Sequence, residues 1–280
     1  MSAAVVTPIR LTSTLLPLDS EWSRLNERVQ GRYVVRLARS GEEVDAALRL
    51  RFQVFNLECV IGAPSSFAAA KDMDAYDSSS HHLIVIERDT LEVIATCRLR
   101  THDTAKTIPG FCLSRKFDLC TLPIAVVEKA IEVDRLCVAK PYRHSSAFWI
   151  LLKALDLYAM QNQKTYVFGS LSMSTQDPLI AGLIFDYLSA KGLLHKEFRI
   201  KPRPGFKCLW YKLNPQTVRP ELPGVLRTHL RLGGRLLGLP AIDRESRTID
   251  FPVLLDLKQV NRVSRSRRTE IENFHVPLVA

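Results

Sequence analysis

The sequence has no uninterrupted apolar run of about 18 residues, the minimum from which a membrane-spanning helix is read. The apolar start of the chain is broken by Thr7, Pro8 and Arg10 before it reaches the length of a signal peptide. We therefore expect a cytoplasmic protein without a membrane-spanning segment.

The six cysteines include no C-x-x-C pair, which argues against a zinc site or a redox pair. We expect reduced, mostly buried thiols. The adjacent histidines His81 and His82 fall in a candidate strand and would point to opposite faces, so we predict a structural role for them and no metal site. Cys137 has no histidine at a motif spacing, and we interpret it as strand packing.

The chain carries 39 Lys and Arg against 29 Asp and Glu, a formal net charge of +10. Such an excess predicts an acidic partner: nucleic acid, anionic lipid or an acidic protein. There is no zinc-finger pattern, RNA-binding aromatic motif or helix-turn-helix signature, so we expect no nucleic-acid role.

Hydrophobic periodicity predicts an α/β (α+β) protein with a mixed sheet and helices on both faces. Predicted strands cover residues 33–37, 82–87, 93–99, 130–138, 165–169 and 200–213, and predicted helices cover 42–58, 147–160 and 178–190. Ser40 is placed to cap the first helix. Residues 60–80 are expected to form a loop, because they combine Gly62 and Pro64 with several serines and aspartates.

The chain divides into three predicted regions. Residues 1–30 are an irregular lead-in, residues 31–213 are the main domain, and residues 214–280 are a basic C-terminal extension. Within the extension, residues 222–240 have the pattern of an amphipathic helix carrying Arg227, Arg231 and Arg235. Such a helix can lie on anionic lipid, or it can pack on the main domain with its arginines in water.

Four motifs between residues 51 and 143 occur in a characteristic order. They are Arg51-Phe-Gln-Val-Phe55, Asp72-Met-Asp-Ala-Tyr-Asp77, the strand residue Arg98, and Glu132-Val-Asp-Arg135. This series resembles the acyl-homoserine lactone synthases and, with Tyr142-Arg143, Phe168-Gly-Ser170 and the segments 222–233 and 250–256, the ornithine lipid synthesis acyltransferases that are sometimes labelled hemolysin-like. The resemblance covers about residues 33–260.

The resemblance implies the fold of the GNAT acyltransferases, whose mixed sheet splays open between its fourth and fifth strands. It also implies an acyl-carrier-protein-dependent N-acyltransferase, with acyl-phosphopantetheine in the splay, no permanently bound cofactor and an amino acid acceptor, ornithine being favoured. The length of the segment after residue 214 favours this lipid branch, because the lactone synthases are shorter.

Glu132 is predicted to act as the catalytic base or to hold the acceptor's amine through water, and Arg135 is the second predicted catalytic residue. In a regular strand two residues three apart point to opposite faces, so only a β-bulge would bring them to one side. The family fold implies such a bulge. The alternative is an ordinary ion pair at the end of a strand.

We predict that Arg51, Arg98 and Arg135 form a basic cluster around the acceptor's carboxylate, with Asp74 and Asp77 as counter-charges or as ligands of a cationic side chain. The alternative, which is compatible with the first, is a salt-bridge network that only orders residues 60–80. Asp72 is expected to be solvated.

The phosphate-binding loop departs from the glycine-rich pattern of coenzyme A-dependent members. Here the stretch is Arg143-His-Ser-Ser-Ala-Phe148. Serine and phenylalanine occupy two positions at which coenzyme A-dependent members have glycine or another small residue. We predict that Arg143, Ser145 and Ser146 hold the single phosphate of a carrier-protein arm. Other acceptors, a coenzyme A-dependent acetyltransferase and a non-catalytic scaffold that binds carrier protein or membrane remain as alternatives.

Overall fold

A nine-stranded mixed sheet forms the centre of the computed structural model, which describes residues 27–60, 66–106, 110–211 and 220–260. The helices are α1 (Gly41–Arg51), α2 (Ser66–Ala69), α3 (His102–Ala105), α4 (Ile124–Glu128), α5 (Ala147–Gln161), α6 (Pro178–Ala190) and α7 (Gly224–Arg231). The strands are β1 (Arg28–Gln30), β2 (Tyr33–Leu37), β3 (His81–Glu87), β4 (Val93–Thr101), β5 (Phe117–Asp118), β6 (Ala130–Val138), β7 (Tyr166–Met173), β8 (Lys201–Pro202), β9 (Arg235–Leu236), β10 (Ala241–Asp243) and β11 (Thr248–Asp256).

The strand order in the sheet is β1-β2-β3-β4-β6-β7-β11-β10, with β9 also paired to β11. All seven residues of β3 are buried, because α1 packs on one face of the sheet and α5 on the other. The mixed sheet with helices on both faces is therefore confirmed.

The predicted splay is present between β6 and β7. These two strands pair in parallel over only three residues, from Ala130↔Tyr166 to Glu132↔Phe168. Beyond Glu132 the strands separate, and residues 133–136 and 170–173 are all partly exposed. The cleft between them is the space that the GNAT resemblance assigns to the donor arm.

Gly169 lies where the two strands begin to separate. A Cβ atom at this position would lie 2.5 Å from the backbone carbonyl oxygen of Val133. We expect Gly169→Ala to lower the free energy of unfolding by about 1–3 kcal/mol, because backbone must move to accommodate the methyl group. Urea denaturation measures this. Gly41→Ala, where a Cβ meets nothing within 4 Å, is the matched control and should be near neutral.

Ser40 caps α1 as predicted, its Oγ accepting a hydrogen bond from the backbone N–H of Glu43 at 3.3 Å. The predicted helix over 42–58 needs correction, since the α-helix ends at Arg51 and a π-helix continues over Phe52–Glu58. The π-helix is rare and spans only seven residues here, so the apolar spacing did not distinguish it from a continued α-helix. Within the predicted loop over 60–80, α2 and a short 3₁₀ turn at Asp77–Ser79 are helical.

The strand predicted over 200–213 is wrong in most of its length. Of the described residues in this range, only Lys201–Pro202 form a strand, and Ile200 and Lys207 make isolated bridges to Gly238 and Ala241. A 3₁₀ turn lies at Pro204–Phe206, and residues 212–213 lie outside the described part. Prolines cannot donate to a strand ladder, which explains the short strand. The antiparallel partner of β7 is β11, paired over eight residues from Tyr166↔Asp256 to Met173↔Ile249.

The predicted amphipathic helix over 222–240 is also shorter than expected. The helix ends at Arg231, because Gly233 adopts a left-handed conformation, and Arg235 belongs to β9. The strands within residues 235–256 belong to the main sheet, so this sheet contains residues from both sides of the predicted boundary at 213/214. Of the predicted lead-in, residues 1–26 lie outside the described residues and Arg28–Gln30 form β1. Among the described helices, none is long and apolar enough to cross a bilayer.

Candidate active site

One network of ion pairs covers the face of the sheet opposite α5, at the mouth of the splay. Arg98 of β4 lies at its centre, with Nη2 2.7 Å from Asp134 Oδ2 and Nη1 2.9 Å from Asp77 Oδ1. The members are Arg51, Arg98, Arg135, Asp72, Asp74, Asp77 and Asp134. The structure thus brings together all four predicted acceptor-site residues and Arg135.

Arg51 and Arg98 are completely buried. Arg51 reaches Asp72 at 3.0 Å and Asp77 at 2.7 Å, so it ties the end of α1 to the segment before β3. Arg98 donates both Nε and Nη2 to Asp134. Their donors are already occupied by carboxylates, an arrangement that fits ordering of the 66–80 segment better than direct contact with an acceptor's carboxylate.

Asp72 does not lie in solvent, contrary to expectation. Its side chain is 2% exposed and contacts Arg51 and Arg135, the latter at 3.1 Å between Oδ2 and Nε. The pairing with two guanidiniums compensates for the lost hydration of the carboxylate. Position in a loop was therefore a poor guide to exposure here.

The accessible edge of the network consists of three side chains. Arg135 is 34% exposed, Asp74 is 26% exposed and Asp134 is 19% exposed. Arg135 and Asp74 pair at 3.3 Å. This edge, with two carboxylates and one guanidinium, is the part of the network that a small molecule can reach.

The predicted β-bulge in β6 is confirmed. Arg98 pairs with Asp134 and Thr96 with Cys137, so the two-residue step on β4 faces a three-residue step on β6. Arg135 is the extra residue and has a positive φ of 51°. The bulge turns Arg135 toward Asp72 and Asp74 on the same side as Arg98, instead of the opposite face.

Glu132 is 2% exposed and lies at the last paired position before the splay. Its carboxylate accepts hydrogen bonds from the backbone N–H groups of Cys112 at 2.7 Å and Leu113 at 2.5 Å. Burial, reinforced by the negative charge of Asp134, raises the pKa of Glu132 to about 8, against the opposing effect of the two amide donors and Arg98. A carboxylate with this pKa is suited to accept a proton from an amine near neutral pH.

The three predicted phosphate-site residues surround the start of α5. Arg143 donates from Nη2 to Glu58 at 2.6 Å and from Nε to the carbonyl of Val138 at 3.1 Å. Ser145 Oγ donates to the carbonyl of Tyr142 and accepts from the backbone N–H of Ala147, while Ser146 is exposed beside the helix N-terminus. The side chain of Phe148 points into the core and is 5% exposed.

The paired histidines are buried and have different partners. His81 Nδ1 lies 2.8 Å from Tyr158 Oη, and His82 Nε2 lies 3.2 Å from the carbonyl oxygen of Asp77. Burial lowers the pKa of His82 to about 4, so it is neutral at physiological pH. Cys137 is buried against Leu50 and Val54, which confirms its packing role.

All six cysteines are free thiols, and four are buried. Within the described ranges, no group of three or more His, Cys, Asp or Glu side chains is arranged to hold a metal ion.

Sequence reasoning missed Asp134 and the backbone donors at Cys112 and Leu113. Asp134 carried a readable signal, because strand alternation places it on the same face as Glu132. The amide donors left no trace in residue types, since any residue but proline supplies an N–H group.

Comparison with known proteins shows which acyltransferases this chain is similar to. A family model described as an acetyltransferase (GNAT) domain matches residues 50–153. Curated relatives named L-ornithine N(alpha)-acyltransferase include one from Rhizobium meliloti, 27% identical over 81% of this chain and 80% of the relative, and one from Rhodobacter capsulatus, 28% identical over 85% and 96%. A third, from Agrobacterium fabrum, is 26% identical over 86% and 87%.

Solved structures show more distant similarity. An acyl-homoserine lactone synthase, BjaI, solved with SAM and isopentyl-CoA, has 14% identity and a TM-score of 0.46 over 81% of this chain and 82% of that one. An N-acyl amino acid synthase from uncultured soil microbes has 12% identity and a TM-score of 0.44 over 85% and 95%.

Proposed function

We propose that this chain, an acyltransferase built on a GNAT domain, transfers a long-chain (3-hydroxy)acyl group from acyl carrier protein to the α-amine of ornithine, giving a lyso-ornithine lipid. The observation that carries the proposal is the position of Glu132, buried at the opening of the splay beside an accessible edge of both charge signs. The names of the curated relatives, which are L-ornithine N(alpha)-acyltransferases, support ornithine as the acceptor.

The accessible edge matches the charges of ornithine. Arg135 can pair with the α-carboxylate, while Asp74 and Asp134 can accept hydrogen bonds from the side-chain ammonium. Across the whole network, four aspartates face three arginines, which leaves one net negative charge. That balance favours an acceptor with an additional cation over a neutral side chain.

Amide formation then needs a single proton acceptor near the α-amine. The neutral amine attacks the thioester carbonyl, a C–N bond forms and the C–S bond breaks. Glu132, directly or through one water, takes the proton that the nitrogen loses. The same proton passes from Glu132 to the departing sulfur, which leaves as the thiol. Hydrogen bonds from Cys112 and Leu113 leave lone pairs of the Glu132 carboxylate free for this role.

The donor arm is proposed to lie in the splay with its phosphate near the start of α5. Ser146 and the helix N-terminus offer donors there, and Arg143 would share its guanidinium between Glu58 and the phosphate. The buried Phe148 occupies a position where coenzyme A-dependent members have a small residue. A net charge of +10 suits an acidic carrier protein better than a free nucleotide-bearing thioester alone.

Three parallel incubations test donor and acceptor together. The first contains long-chain 3-hydroxyacyl carrier protein with ornithine, the second the matching acyl coenzyme A, and the third the carrier-protein donor with other amino acids. We expect thiol release and acyl-ornithine mass in the first tube. Turnover only with other amino acids would show that ornithine is not the acceptor. Turnover only with acyl coenzyme A would show that acyl carrier protein is not the donor. No thiol release in any tube would contradict an enzymatic function and favour a binding scaffold.

Acceptor discrimination should depend on Asp74. We compare ornithine with norvaline, which lacks only the side-chain amine, by the ratio of their kcat/KM values. Asp74→Asn should lower this ratio by about 10-fold or more, since a hydrogen bond to a charged group contributes about 1.5–3 kcal/mol. Asp89→Asn, an exposed aspartate remote from the site, is the control. An unchanged ratio would remove Asp74 from acceptor recognition.

A further inference from the structure

A second group of buried ionisable side chains lies beyond β7, and the proposed chemistry does not use it. Asp250 of β11 and Asp243 of β10 are 0% and 1% exposed. Lys116 lies between them, with Nζ 2.6 Å from Asp250 Oδ2 and 3.1 Å from Asp243 Oδ2. Arg115 also pairs with Asp243. Two buried carboxylates on the last strands of the sheet thus hold two consecutive cations of a distant segment.

That segment is the one that holds Glu132. It runs from Phe111 to Lys116 and includes the 3₁₀ turn whose first two N–H groups, from Cys112 and Leu113, bind the Glu132 carboxylate. Its two ends therefore have different attachments. One end reaches β6 through Glu132, and the other reaches β10 and β11 through Arg115 and Lys116.

Asp250 also contacts the wall of the splay. Ser172 is paired with Asp250 across β7 and β11, and its Oγ donates a hydrogen bond to Asp250 Oδ1. Thr248 Oγ1 donates to Oδ2 at 3.2 Å. One carboxylate therefore fixes both the segment 111–116 and the diverging half of β7.

We infer that Asp243 and Asp250 act as positioning residues: by holding Lys116 they fix the segment 111–116, and so fix the two amides that orient Glu132. The inference rests on the proposed role of Glu132 for its catalytic consequence. It gives residues 241–256 a part in the reaction, although they follow the matched GNAT domain by almost 90 residues.

The electrostatic consequence follows from the groups around Glu132. Asp134 faces it from β6, Arg98 and Arg100 from β4, Tyr76 from the segment before β3, and Cys112 from the held turn itself. Amide donors favour the ionised carboxylate, whereas burial and Asp134 oppose it. If the segment loosens, the donors are lost while Asp134 remains, so the pKa of Glu132 should rise.

The test compares Lys116→Met with Lys116→Arg and with the double variant Lys116→Met/Asp250→Asn. The double variant keeps the charge count balanced and guards against a failure to fold. Lys207→Met, at an exposed lysine, is the control. Amide hydrogen exchange at Cys112 and Leu113 is measured in each protein, together with kcat, the KM for the acyl donor and the pH dependence of kcat/KM.

We expect at least about 10-fold faster exchange at these two amides in both Met-containing variants, with kcat lowered by a similar factor and KM for the donor unchanged. The acid limb of kcat/KM should move to higher pH, and Lys116→Arg should restore wild-type behaviour. Unchanged exchange at Cys112 and Leu113 in the folded variants would overturn the inference, whatever the activity. If the wild type transfers no acyl group, the proposed function fails, and faster exchange in the variants would still support the positioning.

Discussion

Glu132→Gln is expected to lower kcat/KM for acyl transfer by about 10²–10⁴-fold, the usual contribution of a general base. The amide has no basic oxygen, so the attacking amine loses its proton acceptor. Glutamine can accept from only one of the two backbone N–H groups at Cys112 and Leu113, since its NH₂ group is itself a donor. Steady-state kinetics with purified acyl donor and acceptor measure the loss.

Two controls separate chemistry from folding in that variant. Glu92→Gln changes an exposed glutamate and should leave kcat/KM unchanged. The acyl donor should bind Glu132→Gln with wild-type affinity, because its phosphate is proposed to lie near α5. Retention of full activity by Glu132→Gln would remove Glu132 as the base and leave the acyltransferase assignment intact.

The largest loss of stability is expected from Arg98→Met. This substitution removes the guanidinium shared by Asp74, Asp77 and Asp134, and leaves their negative charges close together in a largely buried site. Breaking a buried pair by removing one partner costs about 3–5 kcal/mol. We expect a decrease of at least that size in the free energy of unfolding at pH 7, measured by urea denaturation.

Protonation of the carboxylates should relieve part of this loss. Arg51 and Arg98 hold the pKa of Asp77 well below its ordinary value, so in the wild type the contribution of Asp77 is present at neutral pH and is lost as the pH falls through the low folded value. In Arg98→Met the free energy of unfolding should depend less strongly on pH. Arg88→Met, at an exposed arginine, should change stability by less than about 0.5 kcal/mol. Equal losses in the two variants would contradict a central role for Arg98.

Much of the fold was predictable because its strongest elements have strong periodicity. The strand at Ala130–Val138 and the helix at Pro178–Ala190 have the bounds that the sequence predicts. The family resemblance implied a bulge between Glu132 and Arg135, and the positive φ of Arg135 is its structural form. Regular alternation alone would have placed the two side chains on opposite faces of the sheet.

The errors have a common physical cause, which is that long-range pairing overrides local pattern. Residues 248–256 complete the sheet against β7, although their position after a basic segment suggested an appendage. The burial of Asp72 depends on Arg51 and Arg135, which lie 21 and 63 residues away in the chain. Such contacts cannot be read from the composition of the loop that contains Asp72.

The sequence predicted which residues lie at the site better than it predicted the role of each residue there. Arg51 and Arg98 were expected to face the acceptor, and their complete burial favours an organising role. Arg51 and Arg98 are buried whereas Arg135 is partly exposed, and this difference depends on how α1 and the 66–80 segment pack over the sheet. Strand alternation placed Asp134 on the same face as Glu132, but its pairing with Arg98 of the neighbouring strand could not be read from the sequence.

The most direct test of Glu132 as the base is the pH dependence of kcat/KM for ornithine in the wild type and in Glu132→Gln. Ionisation of the acceptor amine affects both proteins equally, so the ratio of the two values isolates the enzyme's own group. Because burial raises the pKa of Glu132 to about 8, we predict that the ratio rises with pH through this region and is constant above it. A ratio that stays constant across the same range would show that Glu132 does not supply the proton acceptor.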